Sequence, residues 1–435
     1  MKSISILLVL AHASWLGIMA CEVVAQDLPQ AGVAIVQPVT AQDSTRLAAL
    51  ITQLESNSFS VREAASAELL AFGELALPNL RTISNSAPFE VRHRAELIRE
   101  RIEDDKFASL SRSFLLDLNG DNSYGLPAWD KYRELVGASR SSKLLFLEMI
   151  REQPELARLI EVVSVPTPSR VAVRTLESLA SMEAVRLREE IFALREPHLG
   201  DAVAMLLVAA TVPHQTPIEI SEIIVSNERR AFGGHVTQQG YASTAGGHVA
   251  QPGYGNCLRK LMSAWLPKTH QSMAPTAMDC ALRYDLSEGL EIARRHLTAN
   301  FDSDTRKLAF YCLARFGNET DLPLLLPLLN DQKVVDEFAR SAIEGEIHVS
   351  NAAPPGIPPA PVLSNNMVVR INDLAITTAM LLLAEDPSEF YPRFETHAKL
   401  GFFIHSLAAP PESVEQQQQR IDQWKQQHQP RQIES

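Results

Sequence analysis

Cysteine and aromatic residues are scarce in this chain: four of its 435 residues are cysteines and 6% are aromatic. Removal of the first 25 residues would leave Cys257, Cys280 and Cys312. An odd and sparse set excludes a disulfide framework, and no pair has the spacing of a metal site. Cys280 and Cys312 lie in apolar runs, where we expect small buried side chains.

A block of basic residues is also missing. The chain has 40 Lys and Arg against 52 Asp and Glu, which gives a formal net charge of −12. The densest basic run, residues 92–94, is interleaved with glutamates on both sides. Nucleic-acid binding needs clustered positive charge. We therefore expect no nucleic-acid partner, and the run indicates a solvated helix face.

The sequence contains no G-x-S-x-G elbow, no H-E-x-x-H and no G-x-x-x-x-G-K-[ST] motif. Paired carboxylates do occur, at Glu189-Glu190 and at Glu148 with Glu152. On helices such pairs are more often solvated faces than acid/base pairs. We therefore predict no catalytic residue and no cofactor.

The N-terminus is typical of an export signal. Lys2 precedes a nearly uninterrupted apolar run over residues 4–20, and small residues lead to a cleavage site between Ala25 and Gln26. A lipid anchor on Cys21 and a single membrane anchor are less favoured alternatives. The apolar run at residues 199–212 is too short to span a bilayer. We expect a periplasmic or secreted protein whose mature chain has no transmembrane span.

A helical pattern with a turn recurs along the chain. In residues 61–80, apolar side chains at steps of four, four and three are followed by a glycine and a Leu-Pro pair. The glycine would end one helix, and the proline would start an antiparallel second helix. The positions in the two matching copies are Val61, Ala65, Leu69, Phe72, Gly73 and Leu77, and Thr305, Ala309, Leu313, Phe316, Gly317 and Leu322.

Two further stretches keep the spacing of the first helix. They are Val91, Ala95, Ile98 and Ile102, and Ile371, Ala375, Ala379 and Leu382. An arginine follows the first position in three copies, as Arg62, Arg92 and Arg306. Such repeated positions favour ion pairs between neighbouring repeats over catalysis.

These stretches resemble HEAT repeats. The resemblance is strongest for residues 44–105 and 300–331, weaker for 368–386, and covers about a third of the chain. It implies an all-α, HEAT-like α-solenoid, here with an irregular helical middle and flexible insertions. It also implies a protein-binding surface, with the second helices at residues 77–83 and 322–329 on the concave side. HEAT motifs carry no catalytic signature.

The chain is expected to divide into nine segments. In order they are a signal peptide (1–25), a linker (26–43), N-terminal HEAT-like repeats (44–105), a helical region (106–226), a flexible Gly-rich loop (227–256), C-terminal HEAT-like repeats (257–348), a Pro-rich linker (349–364), terminal helices (365–409) and a Gln-rich tail (410–435). The tail is expected to form an isolated helix or to fray.

Two groups of residues could bind a metal. Alternating oxygen ligands, as in a calcium loop, occur at Asp117, Asn119, Asp121 and Ser123, but Asn122 and Ala128 replace the glycine and the final carboxylate. We therefore interpret the loop as a polar turn.

His235 and His248 recur in identical GGHV contexts and could bind a metal together with Cys257 or His270, but a loose loop imposes no ligand geometry. We predict no metal site.

The expectation is an exported bacterial scaffold that binds a protein partner and has no catalytic activity. Two alternatives remain: a HEAT-like enzyme of the lyase type, and a structural protein that organises the cell envelope.

Overall fold

The computed structural model describes residues 41–83, 87–195, 198–227, 253–297, 302–339 and 366–428. The chain is mostly helical, as predicted for an all-α protein. It forms two compact units, Met1–Thr175 and Leu176–Ser435, whose boundary lies inside a helix. The boundary helix is α8, Arg170–Phe192.

Seven helices precede α8. They are α1 (Ala41–Gln53), α2 (Phe59–Phe72), α3 (Leu77–Arg81), α4 (Phe89–Leu116), α5 (Trp129–Val136), α6 (Arg140–Glu152) and α7 (Pro154–Val163).

Nine described helices follow α8. They are α9 (Leu199–Thr211), α10 (Ile218–Asn227), α11 (Tyr254–Trp265), α12 (Ala274–Tyr284), α13 (Gly289–Leu297), α14 (Ser303–Phe316), α15 (Leu322–Leu325), α16 (Ile371–Leu382) and α17 (Val414–His428). Strands β1 (Val334–Ala339) and β2 (Asn366–Arg370) pair antiparallel, as do the short strands β3 (Thr396–His397) and β4 (Gly401–Phe402).

The N-terminal repeat has a continuous apolar core. It consists of Leu47, Leu50, Leu54, Ala65, Leu69, Ala76, Leu77, Leu80, Val91, Ala95, Ile98 and Ile102. The four-residue face predicted on α4 is buried throughout. On α2 the prediction is wrong at Val61, which is 37% exposed. Val61 lies in the first turn of α2, so the apolar pattern continues one turn beyond the core.

The second helices of the predicted pairs are short. Helix α3 has five residues, and α15 has four before the chain tightens into a 3₁₀ turn, Leu326–Asn330. Pro327 explains the change in α15, because proline lacks the N–H that an α-helix would need at that position. The sequence pattern places these helices correctly but overestimates their length.

The two turn glycines have different roles. Gly73 has φ +56°, a backbone conformation that favours glycine, and a Cβ there would meet open space. Gly317 is extended (φ −73°), but a Cβ there would lie 2.5 Å from the Leu313 carbonyl oxygen. The first glycine is needed for conformation, and the second for close packing.

Three sequence expectations fail in the second unit. Strand β1 lies within the segment predicted as helical repeats, because the helical pattern ends at Asn330 and β-branched residues follow. The predicted Gly-rich loop ends before residue 256, since α11 begins at Tyr254, which is buried. The Gln-rich tail neither stands alone nor frays over residues 414–428. Its helix α17 buries Gln417, Ile421 and Trp424.

Cys280 and Cys312 are buried, as expected for small core residues, and Cys257 is buried as well. Burial raises the pKa of the Cys257 thiol and that of the Cys312 thiol. Such thiols are poor nucleophiles and poor metal ligands because the thiolate is the reactive form.

Candidate functional site

The loop that resembles a calcium site is closed by its own backbone. The Asp117 carboxylate accepts hydrogen bonds from the backbone N–H groups of Asn119 (3.2 Å), Gly120 (3.0 Å) and Asn122 (3.3 Å). Burial acts to raise the pKa of Asp117, but these hydrogen bonds, led by that from Gly120, outweigh burial and lower it. The carboxylate is thus ionised, and its hydrogen bonds stabilise the turn that leads into α5.

A buried ammonium group occupies the position next to this loop. Lys143 is 2% exposed, and its Nζ donates to the carbonyl oxygens of Phe114 (2.8 Å) and Asp117. The Gly120 carbonyl oxygen accepts from Trp129 Nε1 and Arg133 Nη1, at 2.9 Å each. These carbonyl oxygens are bonded to the chain's own donors, so the loop has the bonding of a structural turn.

The predicted histidine site is not assembled among the described residues. His235 and His248 lie outside them. Cys257 donates from Sγ to the Gly253 carbonyl oxygen at 3.5 Å on α11. His270 accepts the Ser272 N–H at its Nδ1 (3.3 Å) and caps a short 3₁₀ turn. Within the described part of the chain, no three His, Cys, Asp or Glu side chains are grouped so that they could hold a metal.

A cavity of about 400 Å³ lies beside His270. It is lined by His270, Gln271, Ser272, Pro275, His296, Asp302 and Thr305. Its polar groups serve local structure. The Ser272 hydroxyl lies 2.8 Å from His270 Nδ1 within one turn, and Asp302 caps α14 by accepting the Thr305 hydroxyl (2.7 Å) and N–H (2.9 Å). These two hydrogen bonds lower the pKa of Asp302. The arrangement is that of helix caps.

The paired carboxylates have no catalytic arrangement in the described residues. Glu190 pairs with Arg186 along α8, and Glu189 is exposed. Glu148 and Glu152 lie on α6, one turn apart. Glu189 is solvated as expected, whereas Glu148, Glu152 and Glu190 are half-buried.

The recurring arginines are not equivalent in their contacts. Arg306 pairs with Asp331 at 3.1 Å, whereas Arg62 donates to the Ser56 carbonyl oxygen at 2.8 Å. The expectation of an ion pair between repeats is therefore wrong for Arg62, because its Nη1 donates to a nearby loop carbonyl. Arg92 is exposed.

Other residues connect the helices of the N-terminal repeat. Arg46 pairs with Glu68 at 2.9 Å, and Arg81 pairs with Glu103 at 2.8 Å, both across 22 positions. All four side chains are at least 43% exposed. Exposed pairs contribute little stability, so these pairs set the register of neighbouring helices more than they hold them together.

Two exposed phenylalanines stand at matching positions of the N-terminal repeat. Phe59 begins α2 and Phe89 begins α4, thirty residues later, each two positions before a Val-Arg pair. Phe59 is 64% exposed and Phe89 is 73% exposed. We call these two residues, with their neighbours His93 and Arg94, the Phe59–Phe89 patch.

Neighbouring side chains contact both rings. The Arg94 guanidinium of α4 lies 5.8 Å from the centroid of the Phe59 ring of α2. Phe89 stacks on His93, with centroids 5.8 Å apart and planes 11° apart. The patch is thus built from both helices, and its rings have preferred orientations.

The patch carries little net charge. Arg94 pairs with Glu63 and with Glu90, at 2.6 Å each, and is 17% exposed. The hydrogen bond from Arg94 lowers the pKa of Glu90, and the bond to Glu63 raises the pKa of Arg94. Arg94 and Glu90 therefore stay charged, and with Glu63 the three groups carry a formal charge of −1. The rings remain accessible beside the half-exposed carboxylates of Glu63 and Glu90. The sequence could have indicated it, since F-x-V-R occurs in both copies.

Comparisons with protein-family models, with curated proteins and with solved structures find no match to this chain. None of the helices in the described residues combines the length and the apolar character that crossing a membrane requires.

Proposed function

We propose that this protein is an exported, non-catalytic helical scaffold of the HEAT-like type that binds a protein partner through the Phe59–Phe89 patch. The single observation that carries the proposal is the repetition of an exposed phenylalanine at the start of α2 and of α4. Binding surfaces are enriched in aromatic anchors, and here two stand at matching helix starts.

The structure of the patch favours binding over chance exposure. The ring of Phe59 is braced by Arg94 from a different helix, so part of the entropy cost of fixing it is met before a partner arrives. The paired charges of Arg94, Glu63 and Glu90 leave no strong field. A partner that fits this surface presents an apolar patch with a few polar groups at its rim, and has no polyanionic backbone.

Two further features support a scaffold. The helices of the N-terminal repeat are connected by ion pairs of equal spacing, Arg46–Glu68 and Arg81–Glu103, as expected for stacked units that form an extended surface. The polar residues that were considered as metal ligands, such as Asp117 and His270, are engaged in turns and caps. Export is supported by the sequence pattern of residues 1–25.

A photo-crosslinking amino acid at position 89 tests the proposal in the cells that make the protein. The matched control carries the same amino acid at position 192, because Phe192 is 79% exposed and lies on α8 outside the patch. We expect a discrete adduct with one protein from position 89 and none with that protein from position 192. Identical adducts from both positions, or no adduct from position 89, would contradict the proposal.

A further inference from the structure

The C-terminal helix α17 is held at its end by a histidine that contacts two acceptors. His428 Nε2 lies 2.7 Å from Glu385 Oε1, and His428 Nδ1 lies 2.8 Å from the carbonyl oxygen of Trp424. A carbonyl oxygen and a carboxylate oxygen both accept hydrogen bonds, so each contact needs an N–H on the ring. A neutral imidazole has only one. The two contacts exist together only when the ring is protonated.

Trp424 contacts both partners of this interaction. Its indole stacks on the imidazole of His428, with centroids 4.3 Å apart and planes 20° apart. Trp424 Nε1 donates to Glu385 Oε2 at 2.7 Å and fixes the carboxylate.

A second titratable group lies beneath the same helix. Asp373, in the first turn of α16, is 1% exposed and accepts hydrogen bonds from Tyr391 Oη (2.9 Å) and the Arg370 N–H (2.8 Å). Burial raises the pKa of Asp373 to about 6, against the opposing effects of these two hydrogen bonds and of the Arg370 charge.

Asp373 is connected to α17 through its neighbours. The side chain of Gln417, on α17, faces the Tyr391 hydroxyl that donates to Asp373. Asn372 Nδ2 donates to Gln418 Oε1 at 3.0 Å. An ionised carboxylate at Asp373 would therefore be a buried charge directly under α17.

We propose that α17 is a proton-dependent clasp, bound to α16 when His428 is protonated and Asp373 is neutral, and loosened as the pH rises. Loosening would expose the apolar face of Ile421 and Trp424, which the clasp buries. The protein would thus carry a conformational response to the pH of the compartment it enters.

The two groups act in the same direction. Asp373 has its pKa raised from an ordinary value of 3.8 to about 6, so its contribution to stability is full below pH 4 and is lost as the pH rises through about 6. His428 makes both of its contacts only with two ring N–H groups, so this geometry also favours the acidic state.

Several other charged groups on these elements have contacts of their own. Arg420 of α17 lies over the Phe390 ring at 4.7 Å and donates to the Phe390 carbonyl oxygen at 3.4 Å. Asp422 accepts from Gln418 Nε2 at 3.1 Å. Hydrogen bonds from Ser388 lower the pKa of Asp386. The remaining charges on α17 and on the turn before β3 are Glu415, Lys425, Glu389, Arg393 and Glu395.

Fluorescence anisotropy of a dye on α17 tests the clasp in the chain that begins at Gln26, which lacks Cys21. Gln423→Cys places the dye on an exposed position, and Cys257, Cys280 and Cys312 are buried. We expect the anisotropy to fall between about pH 5 and 8, because imidazoles change charge in that range. Asp373→Asn should move the fall to higher pH, and His428→Gln should reduce its amplitude. His405→Gln, on an exposed histidine, should match the parent.

Constant anisotropy across this range, or one pH curve shared by all variants, would overturn the proposal. Circular dichroism confirms that each variant retains its helices. Nitrogen-15 spectra of the histidine rings give an independent reading, with His428→Gln used for assignment. The spectrum of a doubly protonated His428 ring at pH 5.5 is expected, and that of a neutral tautomer would contradict the proposal.

Discussion

Lys143 holds Phe114 in two ways at once. Its Nζ lies 2.8 Å from the Phe114 carbonyl oxygen and 4.8 Å from the centroid of the same residue's ring. Phe114 is fully buried and packs edge-on against Trp129, with ring centroids 4.6 Å apart. The lysine therefore connects α6 to the end of α4 and to the loop after it.

Removing this ammonium should destabilise the first unit. Lys143→Met keeps an unbranched apolar stem but leaves the carbonyl oxygens of Phe114 and Asp117 without a charged donor. We expect a loss of about 1–3 kcal/mol in the free energy of unfolding, measured by urea denaturation. Lys106→Met is the control, since it breaks only an exposed pair with Glu74 and should cost at most about 1 kcal/mol. Equal losses would contradict the structural role of Lys143.

Ala65 and Ala309 are expected to be close-packing positions of equivalent helices. Both are fully buried, on α2 and α14. Replacing either by leucine should destabilise the protein by about 1–3 kcal/mol through overpacking. Ala64→Leu, exposed on α2, is the matched control and should leave the denaturation midpoint nearly unchanged. Unchanged midpoints for both core variants would rule out the repeat alignment.

The glycine-rich segment is predicted to be dispensable for stability. Its deletion should stop at residue 250, because Tyr254 is buried at the start of α11. We expect helix content and melting temperature to be unchanged when residues 233–250 are replaced by a few glycines, since closure entropy grows only with the logarithm of loop length.

Zinc or copper should not raise the melting temperature of the full chain. A rise that His235→Ala or His248→Ala abolishes would instead identify a metal site.

The mature protein is predicted to begin at Gln26. Intact-protein mass spectrometry of material isolated from the producing cells measures this directly. A mass that includes Met1 would contradict export with cleavage. A diacylglycerol adduct on Cys21 would replace the predicted soluble form with a lipid-anchored one.

The features that follow from local pattern could be predicted from the sequence. Apolar spacing alone identified the buried faces of α4 and α14, because helical periodicity is a property of neighbouring residues. The tight turn at Gly73 was also visible, since few other residues adopt its φ.

The remaining features depend on contacts between distant residues. Strand β1 pairs with β2 across residues 340–365, and no local pattern specifies that pairing. The burial of Lys143 could not be predicted for the same reason, because the two carbonyl oxygens that it contacts belong to residues 26 and 29 positions away. The packing of the tail could not be predicted from its composition, because Trp424 contacts Glu385, a residue 39 positions earlier in the chain. Phe59 and Phe89, in contrast, were visible as a repeated F-x-V-R pattern.

The most direct test of the scaffold is the affinity of the crosslinked partner for variants of the patch. Isothermal titration calorimetry would compare the wild-type chain with Phe59→Ser/Phe89→Ser and with Phe192→Ser, all at one salt concentration. Loss of aromatic anchors at a binding surface costs about 2 kcal/mol or more each. We expect affinity to fall by roughly three orders of magnitude for the double variant, since two such losses give about 4 kcal/mol and each 1.4 kcal/mol is about tenfold. Affinity should stay unchanged for Phe192→Ser. Unchanged affinity for the double variant would contradict the account.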